Sequence, residues 1–238
     1  DCRQLMVGVT SMITDNFRCR RYTRMIGHLP MLMHPEPKNA LVICLGSGMT
    51  LAGVTRPASL ESVDCADLSR GVINAARNWF SEANDHVLDD PRVRLIINDG
   101  RTHLLTTAKR YDVIALEPPP PNNAGVSNLY SYEFYELCRK RMNERGMVVQ
   151  WIPPHSATFP QVLSLLNTMR AVFPNTTLWN LFEGQEYCIV GQMDDQPIPY
   201  ERIVLRMADP RVQKHLEPVG IRNAEDVLAC FVMGGKNL

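Results

Sequence analysis

Between residues 40 and 173, short apolar runs alternate with stretches whose apolar residues recur at helical spacing. "ALVICLG" (40–46) is apolar throughout, as expected of a strand covered on both faces. A two-glycine turn and a short helix follow. "SLESVDC" (59–65), "VRLIIND" (93–99), "YDVIALE" (111–117) and "GMVVQWI" (146–152) predict four more strands. Between them, residues 69–83 place Val72, Ala76, Trp79, Phe80 and Ala83 on one helical face. "RTHLLTTAKR" and "SYEFYELCRKRM" predict further helices. "FPQVLSLLNTMRAVF" predicts another, with Val162, Leu165, Leu166, Met169 and Phe173 turned inward. "TTLWNLF" and "EYCIVGQ" are close enough for an antiparallel hairpin. Such alternation calls for a mostly parallel sheet with helices on both faces.

The flanks are less regular. Residues 1–19 suggest a hairpin, and "RRYTRMIGHLPMLM" a helix reaching about Pro30 before the proline-marked boundary "HPEPKN". The expected organisation is a small N-terminal hairpin and helix segment (1–38), an α/β domain (39–193) and a C-terminal helical extension (194–238). The 238 residues suit one large α/β domain with small additions. With 25 basic and 25 acidic side chains the chain lacks the basic excess of a nucleic-acid binder. No apolar run approaches membrane-spanning length. Seven scattered cysteines without a CxxC spacing favour a reducing, cytoplasmic setting over a disulfide framework. Cys44 and Cys65 read as core. The histidines lack metal-ligand spacing; His155 could reach a cavity mouth, with a surface loop the plainer reading. The chain begins at Asp1 without Met, which fits a domain cut from something longer.

The candidate chemistry lies at strand ends. "LGSGMT" follows the first strand and opens a helix, so Gly46 and Gly48 can admit a ligand to bare backbone. GxG alone is more often a simple tight turn. Asp67, 19 residues after Gly48, stands where α/β nucleotide sites grip a ribose, with Asp64 as a rival. "NDGR" (98–101) ends the third strand. Glu117 ends the fourth, and the four prolines behind it fix φ and stiffen the loop. Parallel topology sets these ends along one crevice, so the turn and three acids are expected to face one cavity. Tyr130 and Trp151 could line it, although core packing is the plainer reading.

Those stretches, together with "RRYTRMIGHLP", "SLESVDCADLSRGVINAARNWF", "DDPRVRLIINDGRTHL", "NLYSYEFYELCRKRMNERGMVVQW" and "EYCIVG", resemble the spermidine synthase family of aminopropyltransferases. The resemblance implies a Rossmann-like methyltransferase fold that binds S-adenosylmethionine or its decarboxylated form as donor, with no metal. It is similar to the branch fused to a membrane transporter-like segment, which would make this the soluble part of an anchored protein. By resemblance, Gly46, Ser47 and Gly48 border the donor's methionine portion, Asp67 holds the ribose, and Asp99 and Gly100 meet the adenine. Glu117 orients the attacking amine and takes its proton, and Tyr22 and Gln150 line the acceptor side. The acceptor is a small-molecule amine, and family members often pair as dimers.

Several positions depart from the family pattern. Ser47 replaces an Asp between the glycines, Asp67 replaces a Glu, Glu117 replaces an Asp, Pro120 stands where a second acid is usual, Thr23 replaces a Gln, and the late acceptor-side Tyr has no clear counterpart near "LFEGQEY". Ser47 removes a repulsion that would favour the decarboxylated donor. Pro120 leaves a second ammonium without an evident anchor. The expected activity is aminopropyl transfer to an amine with release of methylthioadenosine. Alternatives are methyl transfer, cleavage of S-adenosylmethionine by its own carboxylate, and a non-catalytic nucleoside sensor.

Overall fold

The computed structural model describes residues 2–8, 10–152, 154, 157–194 and 197–234; His155 lies outside the described residues. An N-terminal hairpin pairs β1 (Gln4–Val7) with β2 (Thr10–Thr14). Helix α1 (Phe17–Met33) follows, then β3 (Asn39–Ile43), α2 (Met49–Val54), β4 (Ser62–Asp67), α3 (Arg70–Trp79) and β5 (Val93–Ile97). Next come α4 (Gly100–Thr106), β6 (Tyr111–Leu116), α5 (Tyr132–Lys140), β7 (Met142–Ile152), α6 (Phe159–Val172), β8 (Asn175–Phe182) and β9 (Glu186–Gln192). The chain closes with α7 (Tyr200–Met207), α8 (Pro210–Leu216), α9 (Ala224–Leu228) and β10 (Phe231–Gly234).

The main sheet has the order β10-β8-β9-β7-β6-β3-β4-β5. Strands β7, β6, β3, β4 and β5 run parallel, and β9, β8 and β10 add antiparallel pairs. Every residue of β6 is buried, in keeping with its apolar run. One core packs beneath α1, α2 and α3, the other beneath α4, α5 and α6. Asp112, near the start of β6, accepts the Lys38 and Asn39 amides at 2.8 Å each and so pins the start of β3 beside it.

Several boundaries differ from the sequence expectation. Helix α1 runs through Pro30 to Met33, and residues 22–33 are buried without interruption. That packing outweighs the roughly 3 kcal/mol a mid-helix proline costs. Strand β7 starts at Met142, because the polar residues 143–145 carry no strand pattern yet remain in the sheet across an irregularity opposite Tyr111–Val113. In α3 the buried positions are Ile73 and Ala76, with Trp79 68% exposed, so the inward stripe is rotated from the one read in the sequence. The expected C-terminal helices end in a strand, β10, which pairs with β8; Trp179 meets Phe231 edge-on at 5.3 Å.

Helices α1 and α2 touch through bare backbone. A Cβ at Gly27 would lie 2.3 Å from the Thr50 carbonyl oxygen, and one at Gly53 would lie 2.9 Å from the Arg24 carbonyl oxygen. Larger residues would force the helices apart. This seam sets the height of Tyr22, Thr23 and Thr50 above the sheet.

Candidate active site

The order of strands reverses between β3 and β6, where open α/β sheets bind ligands at the carboxyl ends. A cavity of about 830 Å³ lies there, large enough for a nucleoside with a second small molecule. The ends of β3, β4, β5 and β6 form its floor, the Pro118–Pro120 loop one wall, and the N-terminal hairpin and the start of α1 another.

The turn after β3 is built from left-handed conformations at Cys44 (φ 70°), Gly46 (φ 53°) and Gly48 (φ 86°). Only Gly46 of the glycine motif lines the cavity, and a Cβ there would meet nothing within 4 Å. Gly48 caps α2 and packs on Asn84, whose Nδ2 donates to the Ser47 carbonyl at 2.8 Å. Ser47 is 1% exposed beneath the turn, so it and Gly48 support the site from below instead of facing it. Cys44 does face the cavity, but burial pushes its thiol well above the ordinary range, so it is no ready nucleophile.

The two aspartates of β4 have separate fates. Asp64 is held by Arg94 at 3.0 and 2.7 Å, by the Tyr111 hydroxyl at 2.7 Å and by Lys109 at 3.4 Å. It braces the sheet on the far side. Asp67 reaches the cavity, its oxygens accepting the Leu45 amide at 2.9 Å and the Ser69 amide at 2.8 Å. Burial pushes its carboxyl above the usual range despite these bonds. Asp99 caps α4 through the Thr102 amide at 2.8 Å, and both Asp99 and Gly100 line the cavity. Gly100 is there because any Cβ would strike Ile43 at 2.3 Å.

Glu117 stands at the centre. Its Oε2 accepts the Thr50 hydroxyl at 2.6 Å, and Tyr22 hydrogen-bonds the same carboxyl. Both bonds favour the charged form, yet desolvation is larger, and Glu186 adds repulsion. The carboxyl rises from 4.5 to about 7, the range suited to a general base near neutral pH. Tyr22 is pushed well above 10 by burial and then by Glu117, so it remains a donor. Tyr22 stacks on Trp151, centroids 5.8 Å apart and planes 14° apart. Trp151 lines the cavity, and its Nε1–H donates to Glu186 at 2.7 Å.

The sequence expectation needs correction at Gln150. Its amide is consumed inside the sheet, accepting from Tyr135 at 2.8 Å and donating to the Leu129 carbonyl at 3.3 Å. It does not line the cavity; strand alternation turns its neighbour Trp151 that way instead. Tyr130 stays in the core, its hydroxyl donating to the Pro119 carbonyl at 3.2 Å. Glu186 and Arg18 also line the cavity and were not singled out, although Glu186 opens the family-like stretch "EYCIVG" and Arg18 stands two residues before "RRYTRMIGHLP".

A family model described as the spermine/spermidine synthase domain matches residues 19–181. The chain belongs to the spermine/spermidine synthase family. Among curated relatives, a polyamine aminopropyltransferase of Methanocaldococcus jannaschii is 36% identical over 129 residues, 54% of this chain and 43% of its own length. One from Nitrosomonas europaea is 33% identical over 146 residues, 61% of this chain and 45% of its own. The chain thus spans less than half the length of these curated relatives. The crystal structure of spermidine synthase from Thermotoga maritima superposes with a TM-score of 0.74 at 24% identity, covering 94% of this chain and 74% of that one. A spermidine synthase complexed with the transition-state analogue AdoDATO matches with the same TM-score at 25% identity. Human methyltransferase-like protein 13 shares the fold at a TM-score of 0.59. Among the described residues no helix is long and apolar enough to cross a membrane.

Proposed function

We propose that the cavity binds an adenosyl sulfonium and that the protein transfers an aminopropyl group from decarboxylated S-adenosylmethionine to an amine. Asp67 would accept the ribose hydroxyls, Asp99 and Gly100 would border the adenine, and Gly46 would admit the sulfonium side chain. The observation that carries the reading is Glu117, a desolvated carboxyl with a pKa near 7 at the junction of these elements and the Tyr22–Trp151 arm.

The chemistry balances without a further reactant. The amine arrives as its ammonium, and Glu117 in its charged form takes one proton. The freed lone pair attacks the propyl carbon bonded to sulfur. A C–N bond forms as the C–S bond breaks, and the bond pair returns to sulfur, giving neutral methylthioadenosine. The proton that the new secondary ammonium still carries leaves to solvent or remains on the product. Thr50 and Tyr22 hold the carboxylate in place, and fixing two reactants in line lowers the barrier by several kcal/mol.

Incubation of the protein with each donor form, with and without amines, tests the reading by mass spectrometry of the nucleoside product. Amine-dependent methylthioadenosine is the expected result. S-adenosylhomocysteine would establish methyl transfer instead, and amine-independent methylthioadenosine would establish donor cleavage. Tight nucleoside binding without any product would make the domain a sensor.

A further inference from the structure

Glu186 is a buried carboxylate at the cavity that the proton transfer to Glu117 does not use. It opens β9 just after a tight turn, where Glu183 (φ 41°) and Gly184 (φ 73°) are left-handed. Trp151 on β7 pairs with Cys188 on β9, so Glu186, two residues earlier, shares that face and lies diagonal to the indole. Its Oε2 accepts the indole Nε1–H at 2.7 Å, and its Oε1 lies 2.9 Å from Arg18 Nη2. Arg18, in the first turn of α1, also donates from Nη1 to Gln185 Oε1 at 3.0 Å. The guanidinium thus clamps the end of the hairpin to the start of the helix that carries Tyr22. Both oxygens of Glu186 are engaged by the protein's own groups.

A buried indole N–H needs an acceptor, but a neutral oxygen would meet that need. A buried carboxylate is the costlier choice and requires a guanidinium from another element beside it. From the indole, contacts run on to the reacting centre. Trp151 stacks on Tyr22, and Tyr22 hydrogen-bonds Glu117. A charge-assisted bond holds the indole more strictly than a neutral one would. The indole in turn holds the phenol that donates to Glu117. Resting on the transfer reading above, we propose that Glu186 is a positioning residue for the reaction: it touches neither reactant, and through Trp151 and Tyr22 it fixes the Glu117 carboxylate at the angle from which it meets the amine. Its charge also adds to the rise of Glu117 toward about 7. Of the other groups facing Glu117, Thr50 on α2 and Tyr22 on α1 favour its charged form. Cys44 after β3 and Tyr130 before α5 are held neutral by burial. Asp67, Asp99 and Arg18 share the cavity and stay in place in every variant below.

Two substitutions test this in the full chain. Glu186→Gln keeps an oxygen for the indole and removes the charge; Glu186→Leu removes both. In Glu186→Gln the rising limb of kcat/KM against pH should move down by about half a pH unit, because Glu117 then loses its proton more easily, with plateau kcat nearly kept. In Glu186→Leu, kcat should fall about tenfold while KM for 1,4-diaminobutane changes little. Trp151→Phe deletes the same bond but leaves a ring for stacking. It should lower kcat alike, Glu186→Leu should add little in that background, and it replaces Glu186→Leu if that variant fails to fold. Near-ultraviolet circular dichroism of the Tyr22–Trp151 stack, taken as the difference from Trp151→Phe, needs no turnover. The band should persist in Glu186→Gln and weaken in Glu186→Leu. An unchanged band or unchanged kcat in a folded Glu186→Leu protein would overturn the assignment. So would a large rise in KM for the diamine in both variants with kcat kept, which would make Glu186 a direct acceptor contact. Wild-type protein that forms no methylthioadenosine with any amine would sink the transfer reading alone, and the dichroism would still decide whether Glu186 holds the stack.

Discussion

Replacing Glu117 with Gln removes a charge from a site that resists holding one. The carboxyl titrates at about 7 in the folded protein against 4.5 ordinarily. Because the folded value is the higher one, the folded state binds the proton more tightly. The stability contributed by this group is full below 4.5, falls as pH rises through the window from 4.5 to 7, and is level above it. At 1.36 kcal/mol per tenfold change in acidity, the fall is about 3 kcal/mol at most, since water in the cavity screens part of it. Gln is neutral throughout and lacks this slope. Urea denaturation of both proteins at steps from pH 5 to pH 8 checks the difference. The two should be nearly equal at pH 5, where Glu117 is protonated, and Glu117→Gln should be the more stable by up to about 3 kcal/mol at pH 8. The buried His28 and His215, which hydrogen-bond each other at 2.7 Å, titrate alike in both proteins and cancel in the subtraction. The same variant should lose turnover while keeping nucleoside affinity. Parallel stability curves with no divergence above pH 5 would refute the claim that Glu117 is desolvated at the expense of stability.

Four further outcomes follow from the same geometry. Thr50→Val deletes a bond that favours the charged carboxylate, so the rising limb of kcat/KM against pH should move upward by about one pH unit, read from the pH–rate profile. Asp67→Asn should weaken methylthioadenosine binding at least tenfold by calorimetry with modest loss of stability. Asp64→Asn should do the reverse, costing about 1–2 kcal/mol in urea denaturation because the Tyr111 hydroxyl, Arg94 and Lys109 lose their shared carboxylate, with nucleoside affinity nearly kept. Gly27→Ala drives a methyl into the Thr50 carbonyl, so it should destabilise by about 1–3 kcal/mol and lower kcat as Tyr22 and Thr50 separate from Glu117.

The architecture was legible because parallel strands covered on both faces write themselves as apolar runs. "ALVIC" and "YDVIAL" are buried almost throughout, and the strand ends carry the acids that turn out to share a cavity. Spacing could not say which side of a strand a residue faces. Asp64 and Asp67 both looked suited to a ribose, and Gln150 looked suited to an acceptor; register in the sheet separates Asp67 and Trp151 from them. Glu186 and Arg18 meet across 168 residues of sequence, so only tertiary packing joins them. Pro30 misled in another way, since a local rule about helix ends yields when twelve consecutive residues, 22–33, are buried.

The short strand at Phe231–Gly234 has a practical consequence for anyone trimming this domain. It covers the open ladder of β8, and its phenyl ring seals Trp179. A fragment stopped at Cys230 would keep the cavity and every acid discussed above. It would also bare the hydrogen-bonding rim of β8 at Thr177–Trp179, an invitation to self-association. Poor solubility of such a fragment would then reflect where it was cut and say nothing about its chemistry.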